Sequence, residues 1–166
     1  TQVPRPSKKE EKIRAYLLDF AREHDIAAKT DAVGNVVLSV PATPGHEDAP
    51  TVILQGHMDM VCESNDKSFD FTTRPIPAYV DGEWIRTKGT TLGADNGIGM
   101  AASLAILTDK SFEHGPIEAL FTVDEETGMD GAFALDCSDL KGRQLVNIDS
   151  EDEGIFTVSC AGGVRT

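Results

Sequence analysis

Three apolar segments of this chain each run directly into a cluster of acidic residues, and this repeated pattern constrains the fold most. "TVILQ" (51–55) continues into "GHMD", "IEALFTV" (117–123) into "DEETG", and "QLVNI" (144–148) into "DSEDEG". Short apolar runs bounded by polar residues are typical of buried strands. In open α/β sheets, ligands bind beyond the carboxyl ends of the strands. If the three strands are parallel, the sequence predicts one sheet edge rich in ligand-binding side chains.

The remainder of the chain mixes helical and strand-like patterns. A first helix is predicted over about 8–24, with Ser7 and Glu10 as the capping box at its start. "AAKTDAVGNVVLSV" predicts two strands around a turn at Gly34-Asn35. Further helices are predicted at about 96–109 and 129–135, and strands at about 51–56, 83–87, 117–123, 144–149 and 155–160. We therefore expect an α/β fold, a three-layer αβα sandwich with a mixed central sheet and helices on both faces.

Charge and cysteine content exclude several classes of function. The formal net charge of -13 argues against a nucleic-acid partner, which requires a basic surface, but it favours cations. Cys62, Cys137 and Cys160 are far apart and odd in number, which predicts a reducing, cytoplasmic location without a disulfide framework. No apolar run approaches membrane-spanning length, so no membrane partner is expected.

The predicted edge collects side chains that bind metal ions. They are His57, Asp59, Glu125, Glu126 and Asp149, together with Asp95 in "TLGADNGIG" at the entry to the second helix. Crowded carboxylates raise one another's pKa unless a cation neutralises them. One histidine with several carboxylates suits Zn²⁺, and also Mn²⁺ or Co²⁺. This many ligands exceeds one open zinc site, so we expect two ions, about 3.5–4 Å apart and bridged by a carboxylate.

The adjacent residues Glu125 and Glu126 are expected to have different roles. In extended backbone, Glu125 and Glu126 point to opposite sides, so one reaches a metal ion and the other the attacking water as general base. The residue pattern leaves open which does which. Asp59, two residues after His57, is expected to accept the second imidazole N–H and orient the ring.

Each residue taken alone also has a purely structural explanation. A single histidine after a strand is more often structural than a ligand, Asp95 alone fits a helix N-cap, and an acidic pair is usually a solvated loop. The metal hypothesis therefore depends on these side chains from separate segments lying together at one predicted sheet edge.

The chain resembles the di-zinc metallopeptidases, a family that includes dipeptidases, tripeptidases and related carboxypeptidases. The resemblance rests on "QGHMDMV", "GTTLGADNGIGMA", "DEETGMDGA" and "NIDSEDEG", with "VPRPSKKEEKI" and "SCAGG" in support, and covers nearly the whole chain. The resemblance is strongest to those members of the family that hydrolyse Xaa-His and other dipeptides. It implies a metallopeptidase that cleaves short peptides with a hydroxide held between two metal ions, with zinc as the metal that the family implies first.

The resemblance also implies roles by position. His57 and Asp149 correspond to ligands of the first zinc, Glu126 to a ligand of the second, and Asp95 to the carboxylate bridging both. Glu125 corresponds to the general base and Asp59 to the residue orienting His57. The family often has a cis peptide bond before the residue equivalent to Asn96.

One part of the family pattern has no counterpart in this sequence. The family takes a further histidine ligand from near the C-terminus of a much longer chain, and His24, His46 and His114 do not match that motif. A dimerisation domain would follow "CAGG". We therefore expect residues 1–166 to be the N-terminal part of a catalytic domain, little active alone, within a protein that forms a homodimer.

Two alternative functions remain from the sequence. A related amidohydrolase, deacylase or carboxypeptidase would use the same metal chemistry on another substrate. A non-catalytic metal-binding module would keep the fold without turnover, although every motif position present carries a chemically competent residue.

Overall fold

The computed structural model describes residues 1–150 and 154–159, which contain a five-stranded sheet, a two-stranded hairpin and three α-helices. The helices are α1 (Glu11–Glu23), α2 (Ala94–Thr108) and α3 (Asp130–Phe133), with a 3-10 turn at Cys137–Asp139. The strands are β1 (Ala27–Thr30), β2 (Val36–Val40), β3 (Val52–His57), β4 (Tyr79–Asp81), β5 (Trp84–Arg86), β6 (Ile117–Thr122) and β7 (Gln144–Asn147).

The large sheet is mixed, and its strand order is β1-β2-β6-β3-β7. The three strands that run into acidic clusters are parallel, which is the condition for the predicted edge, with Val52 of β3 opposite Ile117 of β6 on one side and Gln144 of β7 on the other. β1 and β2 are antiparallel to their neighbours. Since parallel neighbours need a crossover connection, α2 lies between β3 and β6 in the chain. The predicted mixed α/β sheet is confirmed, and the carboxyl ends of β3, β6 and β7 meet at one edge.

Both long helices pack on the same face of this sheet. The stripe Ile13, Leu17 and Ala21 of α1 recurs at every fourth residue and is buried, as expected for an amphipathic helix. Met100 and Leu104 of α2 join the same core. The sheet contributes Val36, Leu38, Leu54, Ile117, Ala119 and Phe121 to it. In the described part of the chain, no helix is both long and apolar enough to cross a membrane.

The opposite face carries a smaller cluster. Ile53 and Leu120, which alternate with the residues of the first core, pack there against Leu140, with Val37 and Leu135 at the margin. Leu135 and Leu140 follow α3 and the 3-10 turn respectively. The described residues therefore place the long helices on one face and only short helical turns on the other.

The predicted capping box at the start of α1 is wrong. The helix begins at Glu11, and its N-cap Glu10 makes no side-chain capping bond. Ser7 Oγ instead donates to Asp59 Oδ2 at 2.7 Å, and Glu10 Oε1 accepts the backbone N–H of Asp124 at 3.0 Å. The bonds that the motif predicts are absent, because Ser7 has a tertiary partner and Glu10 Oε1 accepts the N–H groups of Lys8, at 2.8 Å, and of the remote Asp124.

The strand predicted at 155–160 is also absent over the described residues 155–159, and residue 160 lies outside the described part. Phe156 and Val158 are 89% and 97% exposed. Strand propensity is largely a preference for packing on a sheet surface, and these side chains have no such surface.

Candidate metal centre

His57 is the last residue of β3, and its imidazole is almost fully buried. Its Nδ1 lies 3.1 Å from the backbone oxygen of Asp59 and 3.2 Å from Asp59 Oδ1. Because a carbonyl oxygen can only accept, Nδ1 carries the proton in this bond. The other ring nitrogen, Nε2, is thereby directed towards the acidic residues at the sheet edge.

A first group of candidate ligands combines His57 with Asp95 and Asp149. His57 Nε2 lies 3.0 Å from Asp95 Oδ1 and 3.8 Å from Asp149 Oδ2. One ligand atom from each of the three residues lies within 4.8 Å of the others. Asp95 reaches this position from the start of α2, where its backbone is not helical and its bond to Asn96 is cis. The cis peptide implied by the resemblance is therefore present.

A second group combines His57 with Glu125 and Glu126, again with ligand atoms within 4.8 Å of one another. Glu125 Oε2 lies 3.9 Å from His57 Nε2. The expected extended backbone with oppositely directed side chains is wrong, because residues 125–128 form a turn. The backbone N–H groups of Glu125 and Glu126 both donate to the Asp59 carboxylate, at 3.0 and 3.2 Å. This shared acceptor holds the turn against β3, so both glutamates reach the centre.

Asp59 lies behind the imidazole with no exposed surface. Burial would raise the pKa of its carboxyl, but hydrogen bonds from His57, Ser7 and the Glu125 and Glu126 N–H groups lower it to about 2. Asp59 is therefore a charged anchor that contacts His57 rather than a group open to a substrate.

The acidic surroundings control the protonation of His57. Burial would lower the pKa of the imidazole, but hydrogen bonds to Asp59 and Asp95 and the charge of Asp149 raise it to about 9. Without a cation, the imidazole takes up a proton and serves as the positive charge of the cluster.

Crowding favours the charged form of His57 but the neutral, protonated form of the carboxyl groups. Burial raises the pKa values of Glu125, Glu126 and Asp149 above their usual range, and neighbouring carboxylates raise them further despite the favourable charge of His57. A divalent cation would relieve this repulsion. The nitrogen and oxygen donors are of the type that Zn²⁺, Mn²⁺ and Co²⁺ accept, so the residues present fit a metal centre.

Asn96 supports the centre and was missed by sequence reasoning. Its Nδ2 donates to the backbone oxygen of Ile148 at 2.5 Å and to Asp149 Oδ1 at 3.2 Å. The Asn96 side chain fits because Gly56 and Gly99 have no Cβ; a Cβ at either position would collide with Asn96 Oδ1. The two glycines are the only trace of this role in the sequence, and that both of them border Asn96 is not visible without the fold.

The remaining histidines lie elsewhere. His46 pairs with Glu113, His114 contacts the oxygen of Gly115, and His24 stacks on Phe20. None of the three belongs to either ligand group found among the described residues.

Known proteins of the same fold are similar to this chain over most of its length. It is 49% identical over 163 residues to cytosol non-specific dipeptidase from Escherichia coli K12, which is 98% of this chain and 34% of that protein. The crystal structure of aminoacylhistidine dipeptidase from Vibrio alginolyticus matches with a TM-score of 0.88 and 52% identity, over 92% of this chain and 31% of that one.

A tripeptidase from Staphylococcus aureus matches more distantly, with a TM-score of 0.77 and 25% identity over 91% of this chain and 41% of that one. The chain thus spans about a third of the length of its two nearer relatives described above. The model of peptidase family M20/M25/M40 matches residues 53–150, which is more than half of the sequence. The chain therefore belongs to peptidase family M20/M25/M40.

Proposed function

We propose that this chain is part of a metal-dependent dipeptidase that hydrolyses Xaa-His and other dipeptides. The observation that carries the proposal is the position of His57, whose Nε2 meets carboxylates from three separate segments at the carboxyl edge of the sheet. Two relatives support the substrate class, because both are named as dipeptidases and share about half of their aligned residues with this chain.

The proposed ligands divide between two divalent ions. His57 and Asp149 would hold one ion, Glu126 the other, and Asp95 both. When bound, such ions polarise a carbonyl group and lower the pKa of water, and zinc is our first choice, with manganese or cobalt as alternatives. The grouping of these side chains and the raised pKa values of Glu126 and Asp149 support the assignment.

Glu125 is proposed as the general base. Its side chain is one-third exposed, so water and substrate can reach Oε2, and it lies 3.9 Å from His57. A raised pKa makes its carboxylate a stronger proton acceptor. Glu125 would take the proton from the attacking water and then give it to the leaving amine nitrogen. Asp59 would keep the imidazole oriented throughout.

We further propose that residues 1–166 form the N-terminal part of the catalytic domain of a homodimeric protein. Two observations support this assignment. The chain spans only about a third of each of the two relatives, and neither ligand group found among the described residues contains a second histidine. On this proposal the isolated chain has little activity, and a histidine and a dimerisation domain come from elsewhere in the protein. A cytoplasmic location is proposed from the relative named as a cytosol enzyme.

A substrate panel tests the proposed reaction. The full-length protein, stripped of metal and reloaded with Zn²⁺, Mn²⁺ or Co²⁺, is assayed against dipeptides that include Xaa-His, with N-acylated amino acids as the comparison and a chelator as the control. The expected result is chelator-sensitive cleavage of dipeptides. Cleavage of acylated amino acids alone would move the assignment to a deacylase, and two bound ions without any turnover would favour a binding module.

A further inference from the structure

The N-terminal segment, residues 5–10, contacts the stretches of chain that carry the candidate ligands. Pro6 forms a β-bridge with Met60, just beyond β3. Arg5 and Ser7 bond to the residues that follow His57, and Glu10 bonds to the residue that precedes Glu125. The proposed reaction gives this segment no role.

Arg5 makes the most extensive of these contacts. Its side chain is only 3% exposed, and Nη1 donates to the backbone oxygens of Met58 at 3.0 Å and Asp59 at 2.6 Å. The same Asp59 oxygen accepts the Nδ1 proton of His57 at 3.1 Å. The guanidinium group therefore fixes the carbonyl group that orients the imidazole.

Arg5 also holds the segment that carries Asp95. Its Nη2 donates to the backbone oxygen of Gly93, two residues before Asp95. A Cβ at Gly93 or Gly97 would lie 2.7 or 2.9 Å from that same nitrogen, so the guanidinium group is closely enclosed by this segment. One side chain thus connects the end of β3 to the start of α2.

The charge of Arg5 distinguishes this role from ordinary core packing. Burying a guanidinium group that bonds to neutral carbonyls is costly, and an apolar side chain would fill the same space at lower cost. Burial lowers the pKa of Arg5, while the charges of Asp59, Asp95 and Glu126 raise it. An arginine stays protonated in such a setting, so it places a positive charge beside an acidic centre.

Two neighbours extend the same connection to the turn that carries Glu125 and Glu126. Ser7 Oγ donates to Asp59 Oδ2 at 2.7 Å, and the other Asp59 oxygen accepts the N–H of Glu125. Glu10 Oε1 accepts the N–H of Asp124 at 3.0 Å, which anchors the start of the same turn.

We propose that Arg5 is a positioning residue that sets the His57 imidazole and the Asp95 segment in the arrangement that binds metal. The inference rests on the metal centre of the proposed function. It assigns Arg5 no contact with substrate, and it predicts an effect on metal affinity and ligand geometry rather than on the chemical step alone.

Cobalt titrations of the metal-free, full-length protein test the proposal. Arg5→Met removes the charge and the donors at similar length, and Arg5→Lys keeps the charge but loses the planar fork. Arg22→Met, at a 73% exposed position on α1, is the matched control. Affinity is measured by calorimetry and ligand geometry by the visible absorption spectrum of bound Co²⁺, with circular dichroism reporting folding.

The expected result is a loss of about 10–100-fold in Co²⁺ affinity for Arg5→Met, as for other residues that orient ligands, with an altered spectrum. Arg5→Lys should recover part of that loss, and Arg22→Met should match the unmodified protein. A folded Arg5→Met with unchanged affinity and spectrum would overturn the proposal. If Arg5→Met fails to fold, Arg5→Lys is used instead, and a folded Arg5→Lys with unchanged affinity and spectrum would overturn the proposal. An unmodified protein that binds no Co²⁺ would overturn the proposed function as well.

Discussion

At the scale of single residues, the site depends on how each side chain is held as much as on which side chain is present. His57 is fixed from behind by Asp59, and Asp59 is fixed in turn by Ser7 and two backbone N–H groups. These bonds leave Nε2 as the ring nitrogen that faces the carboxylates. Preorganised ligands of this kind bind metal without a cost of reordering at the moment of binding.

Replacing Glu125 by alanine should abolish most turnover while leaving the metal in place. The proposed base is the side chain removed, and general bases contribute about 10²–10⁴-fold to rate. We expect kcat for a dipeptide to fall by that factor with two ions still bound by elemental analysis. Glu113→Ala, at an exposed position away from the site, is the control and should keep its activity. A rate close to that of the unmodified enzyme would remove Glu125 as the base.

Adding a methyl group at Gly56 should weaken metal binding through Asn96. The new Cβ would collide with Asn96 Oδ1 and displace the amide that donates to Asp149. We expect Gly56→Ala to lower metal affinity by about 10-fold or more. In Asn96→Ala the collision partner is gone, so adding Gly56→Ala to it should cause little further loss. Additive losses in the double variant would contradict this steric explanation.

At the scale of elements, α1 and α2 share one face of the sheet and stabilise it through the same core. α1 depends on this packing because it lacks a side-chain N-cap. Short isolated helices are marginal in water, so the buried stripe accounts for most of its stability.

Truncation in this stripe should destabilise the fold. Leu17 has no exposed surface, so Leu17→Ala should lower the free energy of unfolding by about 2–5 kcal/mol. Ile85→Ala, at a 62% exposed position in the β4–β5 hairpin, is the control and should cost much less. Chemical denaturation of the metal-free protein measures both. Equal losses would mean that α1 is not part of the main core.

The loop that precedes the hairpin should respond to pH through Asp70. Its carboxylate accepts hydrogen bonds from the hydroxyl groups of Thr72 and Thr73, which lower its pKa to about 2 from the usual 3.8. A lowered folded pKa adds stability above pH 3.8, and that stability is lost as pH falls towards 2.

The difference in Tm between the unmodified protein and Asp70→Asn should therefore be larger at pH 6 than at pH 3, in the absence of metal. The effect should be small, because Asp70 is exposed to solvent. A difference that grows on acidification would show that the carboxylate does not make these bonds.

At the scale of the whole molecule, one sheet edge concentrates negative charge in a chain that is already strongly acidic. The formal net charge is -13, and the four carboxyl groups that form the candidate metal groups with His57 come from three separate segments. Their mutual repulsion opposes folding in the absence of a cation, so metal binding and stability should be linked.

Zinc should raise the Tm of the metal-free protein. For one site, free Zn²⁺ at 100 times its Kd adds about 2.7 kcal/mol to the free energy of unfolding. Asp95→Ala removes the carboxylate proposed to serve both ions, so it should lose most of this gain. Differential scanning calorimetry with and without chelator measures the effect. A gain that is equal in the variant would mean that zinc binds elsewhere.

The sequence by itself determined the strands of the sheet and the chemical identity of the candidate ligands, and the structure showed that three of these strands are parallel. Hydrophobic periodicity is a local property, and so is the step from apolar strand to acidic cluster after Gln55, Val123 and Ile148. Once β3, β6 and β7 are parallel, their ends must share an edge, which brings His57 close to Asp149 and the glutamates.

Only the tertiary structure decided how those ligands are held. The capping box failed because Ser7 and Glu10 found partners more than fifty positions away along the chain. The turn at Glu125 is held because Asp59, in the loop that follows β3, accepts its backbone N–H. Arg5 lies in a segment that supports the family resemblance, but its role gave no sequence signal, since the carbonyl groups it binds are common to every residue. Bonds of this kind depend on distances between remote segments, which a local pattern does not contain.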